Sequence, residues 1–189
     1  MPYYFIILSS FLIILLCFLY IILILDSILA NVSIKYIDVS TSKKATRVIK
    51  EILDELNLKE AAFFDLGSGR GALAIRIKRF FPCFNVYGFD RSPFKIYLSR
   101  IRAFLSGQKV VFIRKNIFNI NLGKADIIYV YIWPETMKKL KEKLEKELKP
   151  GATIIASTFP VPGWQPQITK ETLSIKKDPG FERIYVYRR

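Results

Sequence analysis

A short apolar run ends in a glycine-rich turn at residues 62–71, which read Ala62-Phe63-Phe64-Asp65-Leu66-Gly67-Ser68-Gly69-Arg70-Gly71. Three glycines in five positions let a backbone turn sharply with positive φ and approach a ligand closely. The next residues, from Ala72 onward, predict a helix whose first amides would face the same point. The stretch therefore predicts a strand, a ligand-binding turn and a helix in succession, the first unit of an α/β fold.

The acid two residues before the first glycine separates two classes of ligand. Gly67-x-Gly69-x-x-Ala72 satisfies the loose pattern of dinucleotide-binding proteins, in which a pyrophosphate lies against the turn. A carboxylate at Asp65 would repel phosphates but attract the ammonium and sulfonium charges of S-adenosylmethionine. The spacing favours a methyltransferase over an NAD(P)-binding protein, and a purely structural turn is the third alternative.

Two later strand ends add candidate cofactor contacts. Residues 85–89 predict a second strand ending at Asp90, where an acid can accept hydrogen bonds from both ribose hydroxyls or begin the turn before Ser92. Asn116 follows the third predicted strand and is equally an adenine contact or a turn residue. The predicted cofactor-binding residues are Asp65, Gly67, Ser68, Gly69, Gly71, Asp90 and Asn116.

Strands and helices alternate along the rest of the chain, which predicts an α/β Rossmann-like sheet that is mostly parallel. Four helices have apolar positions at helical spacing, and the residues after 168 predict a hairpin at one sheet edge around Asp178-Pro179-Gly180. The predicted apolar stripes are Val48, Ile49, Ile52, Leu53 and Leu56; Leu73, Ile77 and Phe80; Phe94, Tyr97, Leu98, Ile101, Phe104 and Leu105; and Met137, Leu140, Leu144 and Leu148.

Aromatic and proline residues follow two of the predicted strands. Ligands bind beyond the carboxyl ends of strands in such sheets, so these residues are candidates for a slot that leads to the reacting group. Packing of a stiff loop on the helices is the alternative. The candidates are Tyr131, Trp133, Pro134, Phe159 and Trp164.

The N-terminal segment has no charged side chain from Pro2 to Leu25, which is long enough to cross a bilayer as a helix. A cleaved signal peptide would have a charged start and a shorter apolar run. Lysine and arginine follow the segment, so the positive-inside rule predicts a single-pass anchor with the catalytic domain in the cytoplasm. We expect an anchor at residues 1–30 and one domain at residues 31–189.

Composition limits the chemistry of that domain. The chain of 189 residues contains no histidine and two cysteines, so His-based triads are excluded and no metal site is expected. Its net charge of +14 is compatible with nucleic acid but is best explained, beside a membrane anchor, by an anionic lipid surface.

Four stretches together carry a resemblance to a known family: the glycine turn, Tyr87-Gly88-Phe89-Asp90, Tyr131-Ile132-Trp133-Pro134 and Ser157-Thr158-Phe159-Pro160-Val161-Pro162-Gly163-Trp164. On these residues the chain resembles the FAM173-type membrane-anchored protein lysine methyltransferases and their small archaeal relatives. It departs from the family pattern at Arg70-Gly71-Ala72, where an acid followed by Gly-Arg is common.

The resemblance implies a class I fold and methyl transfer from S-adenosylmethionine to a lysine of a protein substrate, often one at the membrane. The lysine must first lose its proton, and an apolar slot beside a sulfonium cation disfavours the ammonium form. Tyr131 is the candidate to orient the amine. An RNA or DNA methyltransferase, and a non-catalytic cofactor sensor, are the other classes considered.

Overall fold

The computed structural model describes residues 2–32, 40–172 and 183–189. The chain divides into two units, Met1–Asp38 and Val39–Arg189. The first contains helix α1 (Pro2–Val32). Within α1, Tyr3–Leu25 is long and apolar enough to cross a membrane, and its side chains are not buried by the protein. A signal sequence near an N-terminus can also meet these two criteria of length and apolar composition.

The second unit is a seven-stranded sheet with helices on both faces. Its elements are α2 (Lys43–Glu55), β1 (Ala62–Leu66), α3 (Ala72–Phe80), β2 (Asn85–Asp90), α4 (Pro93–Leu105), β3 (Val111–Arg114), β4 (Ile127–Val130), α5 (Pro134–Glu147), β5 (Thr153–Ser157), β6 (Ile168–Glu171) and β7 (Arg183–Arg188).

The strand order is β3-β2-β1-β4-β5-β7-β6, and the pairs among β1 to β5 are parallel. The chain runs outward from β1 to β3 and then returns to place β4 beside β1. Such a reversal opens a crevice at the carboxyl ends of the strands, where α/β proteins bind ligands. The predicted sheet is confirmed.

The antiparallel edge is confirmed as well. Strand β7 pairs with both β5 and β6 in antiparallel register, so β6 and β7 are the two strands of the predicted hairpin. Its predicted turn at Asp178-Pro179-Gly180 lies outside the described residues.

Two apolar layers hold the helices on the sheet. One contains Ile49 of α2, Ile77 of α3 and Ile96 of α4, and the other contains Met137 and Leu140 of α5. The stripes predicted for α2 and α5 therefore face the sheet as expected. In α3, Leu73 and Ile77 are buried, but Phe80 is 39% exposed and was wrongly placed in the core.

Helix α4 contradicts the prediction. Its buried residues are Ile96, Ser99 and Ala103. Of the six side chains predicted to face the core, Phe94 and Leu98 are half-buried, and the other four are exposed: Tyr97, Ile101, Phe104 and Leu105. Tyr97, Phe104 and Leu105 are 64%, 84% and 76% exposed. One reason lies in the glycine turn, where a Cβ on Gly71 would lie 2.8 Å from the Cβ of Ser99, so a small residue of α4 fits there.

Candidate active site

The glycine turn joins β1 to α3 at the centre of the sheet. The N–H groups of Gly67 and Ser68 both donate to the carbonyl of Phe89 at 2.8 and 2.9 Å, which fixes the turn against the end of β2. Gly67, Gly69 and Gly71 all have positive φ, a conformation that side chains disfavour. The turn therefore lies in the crevice with its backbone held from one side.

The glycines differ in what surrounds them. A Cβ on Gly71 would lie 2.5 Å from the ring of Phe112, and a Cβ on Gly88 would meet the same ring at 2.5 Å. A Cβ on Gly69 would meet nothing within 4 Å. Gly71 and Gly88 thus allow internal packing, while Gly69 faces open space where a ligand can approach the backbone.

Asp90 connects the turn to the next helix. One carboxylate oxygen accepts the N–H of Gly69 at 3.0 Å, and the other accepts the N–H of Ser92 at 2.9 Å. Ser92 in turn caps α4 by accepting the N–H of Lys95. Both roles considered for Asp90 are therefore compatible, since each carboxylate oxygen has a second lone pair for a ribose hydroxyl.

Asp65 lies beneath the turn and is 3% exposed. Burial, reinforced by the charge of Asp90, raises the pKa of Asp65 to about 7, against the lowering effect of the N–H of Ala74. Gly71, the residue that precedes α3, has no side chain to cap it. The carboxylate of Asp65 accepts the N–H of Ala74, in the first turn of α3, instead. A cationic ligand beside Asp65 would favour its ionised form.

The other predicted cofactor residues lie around this pair. Ser68 has a buried hydroxyl without a hydrogen-bond partner. Asn116 is exposed, and its side-chain oxygen accepts the N–H of Phe118 at 3.1 Å, which begins the short 3₁₀ turn Ile117–Asn119. The turn role of Asn116 is observed, and adenine contact stays a prediction that its amide nitrogen would have to fulfil.

An aromatic pair stands beyond β4 and β5. The rings of Trp133 and Phe159 have centroids 5.6 Å apart. Trp133 precedes α5, and Pro134 takes the first position of that helix, where a missing N–H costs nothing. Tyr131 is half-buried and lies between β4 and Trp133 in the sequence. The structure thus brings Trp133 and Phe159 together.

Trp164 has a different environment. Its ring packs edge-on against Tyr187 of β7 at 5.7 Å, and its indole N–H donates to Glu145 of α5 at 3.0 Å. These contacts favour the packing alternative for Trp164 over a place in the slot.

One unusual turn has no counterpart among the sequence predictions. Thr158, directly after β5, has φ +66°, and the N–H of Phe159 donates to the carbonyl of Ser157 at 2.8 Å. This is a γ-turn with positive φ at its centre, a rare and strained form, and a β-branched residue is the least suited to it. Strain of this kind is concentrated at functional sites.

The same turn carries two unused hydroxyls. The side-chain oxygens of Ser157 and Thr158 are buried without a hydrogen-bond partner. Buried polar groups are normally satisfied, so each such group needs an explanation. Nothing in the residue types themselves marks this turn in the sequence. Its two distinguishing features are the positive φ of Thr158 and the unpaired hydroxyls of Ser157 and Thr158.

Solved structures with this fold include several methyltransferases. An RNA methyltransferase from Salinibacter ruber, in complex with S-adenosyl-L-homocysteine, superposes with a TM-score of 0.68 at 24% identity and covers 79% of this chain and 93% of its own. A precorrin-6y C5,15-methyltransferase from Geobacter metallireducens superposes with a TM-score of 0.59 at 12% identity, covering 82% and 92%. The sheet, the turn and its acids therefore define a methyltransferase fold.

The chain belongs to the family of the ANTKMT methyltransferase domain, whose model matches residues 65–168. The mouse adenine nucleotide translocase lysine N-methyltransferase is 28% identical over 124 residues, 65% of this chain and 54% of that protein. A protein-lysine N-methyltransferase of Saccharolobus islandicus is 26% identical over 151 residues, 79% of this chain and 91% of that protein. The resemblance noted in the sequence is confirmed.

The chain spans about half the length of its animal relatives. It covers 54% of the mouse protein and 58% of a human lysine N-methyltransferase, to which it is 28% identical over 145 residues. The region that the family model matches contains the glycine turn, Asp90 and the aromatic pair.

Proposed function

We propose that this chain is an S-adenosylmethionine-dependent methyltransferase that methylates lysine side chains of a protein substrate. The observation that carries the proposal is the pair of buried carboxylates, Asp65 and Asp90, beside a glycine turn that faces open space. The relatives named as lysine N-methyltransferases support the choice of acceptor.

The residues of the site fit this cofactor. The ammonium group of the methionine part would pair with the carboxylate of Asp65, whose ionisation is otherwise opposed by burial. Asp90 would accept the ribose hydroxyls, and the open space before Gly69 would admit the ligand to the backbone. Ser68 offers its buried hydroxyl, and Asn116 its amide nitrogen. A phosphate-bearing ligand would instead place its negative charge against two acids.

The chain itself has to position the acceptor rather than activate the donor. When bound, S-adenosylmethionine supplies a methyl group on a sulfonium centre, which needs no enzyme nucleophile. The Trp133–Phe159 pair would exclude water from the lysine side chain and so favour its neutral form. Tyr131 would orient the amine, and the strained turn at Thr158 would fix the direction in which the following residue, Phe159, faces Trp133. The lysine ammonium would first lose a proton to solvent, and its neutral nitrogen would then take the methyl group as the bond between the sulfur and that carbon breaks, which leaves S-adenosylhomocysteine to depart.

We further propose that α1 anchors the protein in a membrane as a single span, with the catalytic domain on the cytoplasmic side and the acceptor nearby. The uncharged segment Tyr3–Leu25 supports the span, and the basic residues Lys43, Lys44, Arg47 and Lys50 after it support the orientation.

The deciding experiment is a transfer assay with radiolabelled S-adenosylmethionine. The full chain is incubated with membrane proteins or with RNA, and the Asp65→Asn variant is the matched control. We expect label in protein, on lysine after hydrolysis, and strongly reduced label with the variant at a cofactor concentration below saturation. Label in RNA would replace the acceptor assignment, and absence of label from both would refute the enzyme.

A further inference from the structure

The exposed side chains of α4 form a second apolar face, which we call the α4 stripe: Tyr97, Ile101, Phe104 and Leu105. The face that meets the sheet consists of Ile96, Ser99 and Ala103. At about 100° of rotation per residue, the centres of the two faces lie about 150° apart. The stripe is therefore not an extension of the buried face of α4. It lies on the side of the helix that faces solvent.

The degree of exposure sets the stripe apart from ordinary surface residues. Phe104 is 84% exposed and Leu105 is 76% exposed. Single exposed apolar residues need no explanation, but a contiguous set of large ones marks an interaction surface.

The charged residues in the same part of the chain favour an anionic partner. Residues 91–125, which contain α4 and β3, have eight lysine and arginine residues and no aspartate or glutamate. Arg102 and Lys109 are exposed next to the stripe. Arg100 donates to the carbonyl of Phe112, which holds its positive charge between α4 and β3. An apolar helix face in a segment whose charged residues are all basic matches the boundary between acyl chains and anionic headgroups.

We propose that the α4 stripe lies on an anionic lipid bilayer and orients the catalytic domain there. Tyr97 and Phe104 would enter the interface, and the surrounding cations would contact the headgroups. This goes beyond the proposed reaction, since neither the cofactor nor the acceptor takes part. A nucleic acid would suit the cations but leave Leu105 and Ile101 without contact, and a second copy of the chain would bring two basic surrounds together.

The test places a polarity-sensitive fluorophore on single cysteines in the full chain. The background carries Cys17→Ser and Cys83→Ser, because both native cysteines are exposed. The reporter is Phe104→Cys, and the control is Lys138→Cys on α5, which packs on the opposite face of the sheet. Leu15→Cys reads α1 separately, so failure of the anchor is distinguishable from failure of the stripe.

The proteins are reconstituted in vesicles of phosphatidylcholine with or without phosphatidylglycerol. With the anionic lipid, we expect the label at 104 to shift to the blue and to be quenched severalfold more by acyl-chain bromines than the label at 138. Equal aqueous quenching by iodide at 104 and 138 would overturn the proposal. So would protection at 104 that requires added RNA, or that arises from cross-links between copies.

Discussion

Asp65 and Asp90 lie at the carboxyl ends of two adjacent parallel strands as buried carboxylates, and burial together with the charge of Asp90 raises the pKa of Asp65 to about 7. Two buried carboxylates therefore lie close together, and a cation between them would relieve the repulsion. The site is thus prepared for a cation at a cost to its own stability.

The first prediction concerns that cost. The folded state holds a proton on Asp65 between pH 3.8 and about 7, while the unfolded chain has lost it, so this group stabilises the fold at low pH and the contribution is lost as pH rises through that window. Asp65→Asn keeps an acceptor for Ala74 without a charge. Without cofactor, we expect it to match the natural protein near pH 4 and to exceed its stability at pH 8 by up to about 4 kcal/mol.

Chemical denaturation of the full chain in detergent measures the difference. Asp126 is the control with the opposite sign: although burial raises its pKa, the N–H of Ala62 and the ammonium of Lys149 hold that pKa below its usual range. Asp126→Asn should therefore be less stable than the natural protein at pH 8. Stability curves for Asp65→Asn and the natural protein that run parallel in pH would contradict the assignment.

The second prediction links the proton to the cofactor. S-adenosylmethionine should bind with release of up to one proton near pH 6 and with almost none above pH 8, because its ammonium group pairs with ionised Asp65. Calorimetry in buffers of different ionisation enthalpy measures this number. Asp65→Asn should release no proton and bind about 10- to 100-fold more weakly, the range for a lost charge-assisted hydrogen bond. Unchanged affinity would remove Asp65 from the cofactor site.

The third prediction separates the glycines. Gly69→Ala adds a methyl group into open space and should leave the fold intact while blocking the cofactor. Gly71→Ala forces a Cβ into the ring of Phe112 and should destabilise the fold itself. Gly107→Ala is the matched control, with a similar positive φ and open surroundings after α4, and it should alter neither affinity nor transfer. Equal cofactor affinity for the 69 and 107 variants would refute the ligand position.

The fourth prediction addresses the strained turn. Thr158→Gly relieves a positive φ and removes a buried unpaired hydroxyl, so the fold should gain stability, in the range of about 1 kcal/mol. Transfer to the acceptor should fall at unchanged cofactor affinity. Asn57→Gly relieves positive φ at the end of α2, away from the strands' carboxyl ends, and should leave transfer unaltered. Full activity of Thr158→Gly would make the turn purely structural.

The fifth prediction distinguishes the two aromatic environments. Phe159→Ala opens the pair with Trp133 and should lower kcat/KM for the acceptor without changing the cofactor Kd. Trp164→Ala removes contacts with Tyr187 and Glu145 and should mainly lower stability, by about 3 kcal/mol. If Trp164→Ala instead abolished transfer in a stable protein, Trp164 would return to the slot.

Local sequence patterns were sufficient to predict much of the fold. The apolar run before Gly67 predicted β1, Gly151 and the run after it predicted β5, and the spacing of Met137, Leu140 and Leu144 predicted the buried face of α5. Each of these signals depends on residues that are close in sequence.

The errors arose where a choice depended on partners distant in sequence. Helix α4 has apolar residues on both faces, and the small side chains at Ser99 and Ala103 are the buried ones. Ser99 lies against Gly71, which is distant from it in sequence. Periodicity cannot rank two apolar faces. The γ-turn at Thr158 was also hidden, because threonine has no preference for positive φ that a sequence could reveal.

The ring of Phe112 occupies the volume that a side chain on either Gly71 or Gly88 would need. One aromatic residue on an edge strand thereby limits what two other positions can become, on two other elements. Loss of bulk at 112 would remove the nearest obstacle to alanine at both positions, leaving Ser99 close to the first and Ser68 close to the second, whereas either alanine arising first would meet the ring. The order in which such changes can occur is therefore constrained. Which residues the cofactor-binding turn tolerates depends on Phe112, which lies outside that turn.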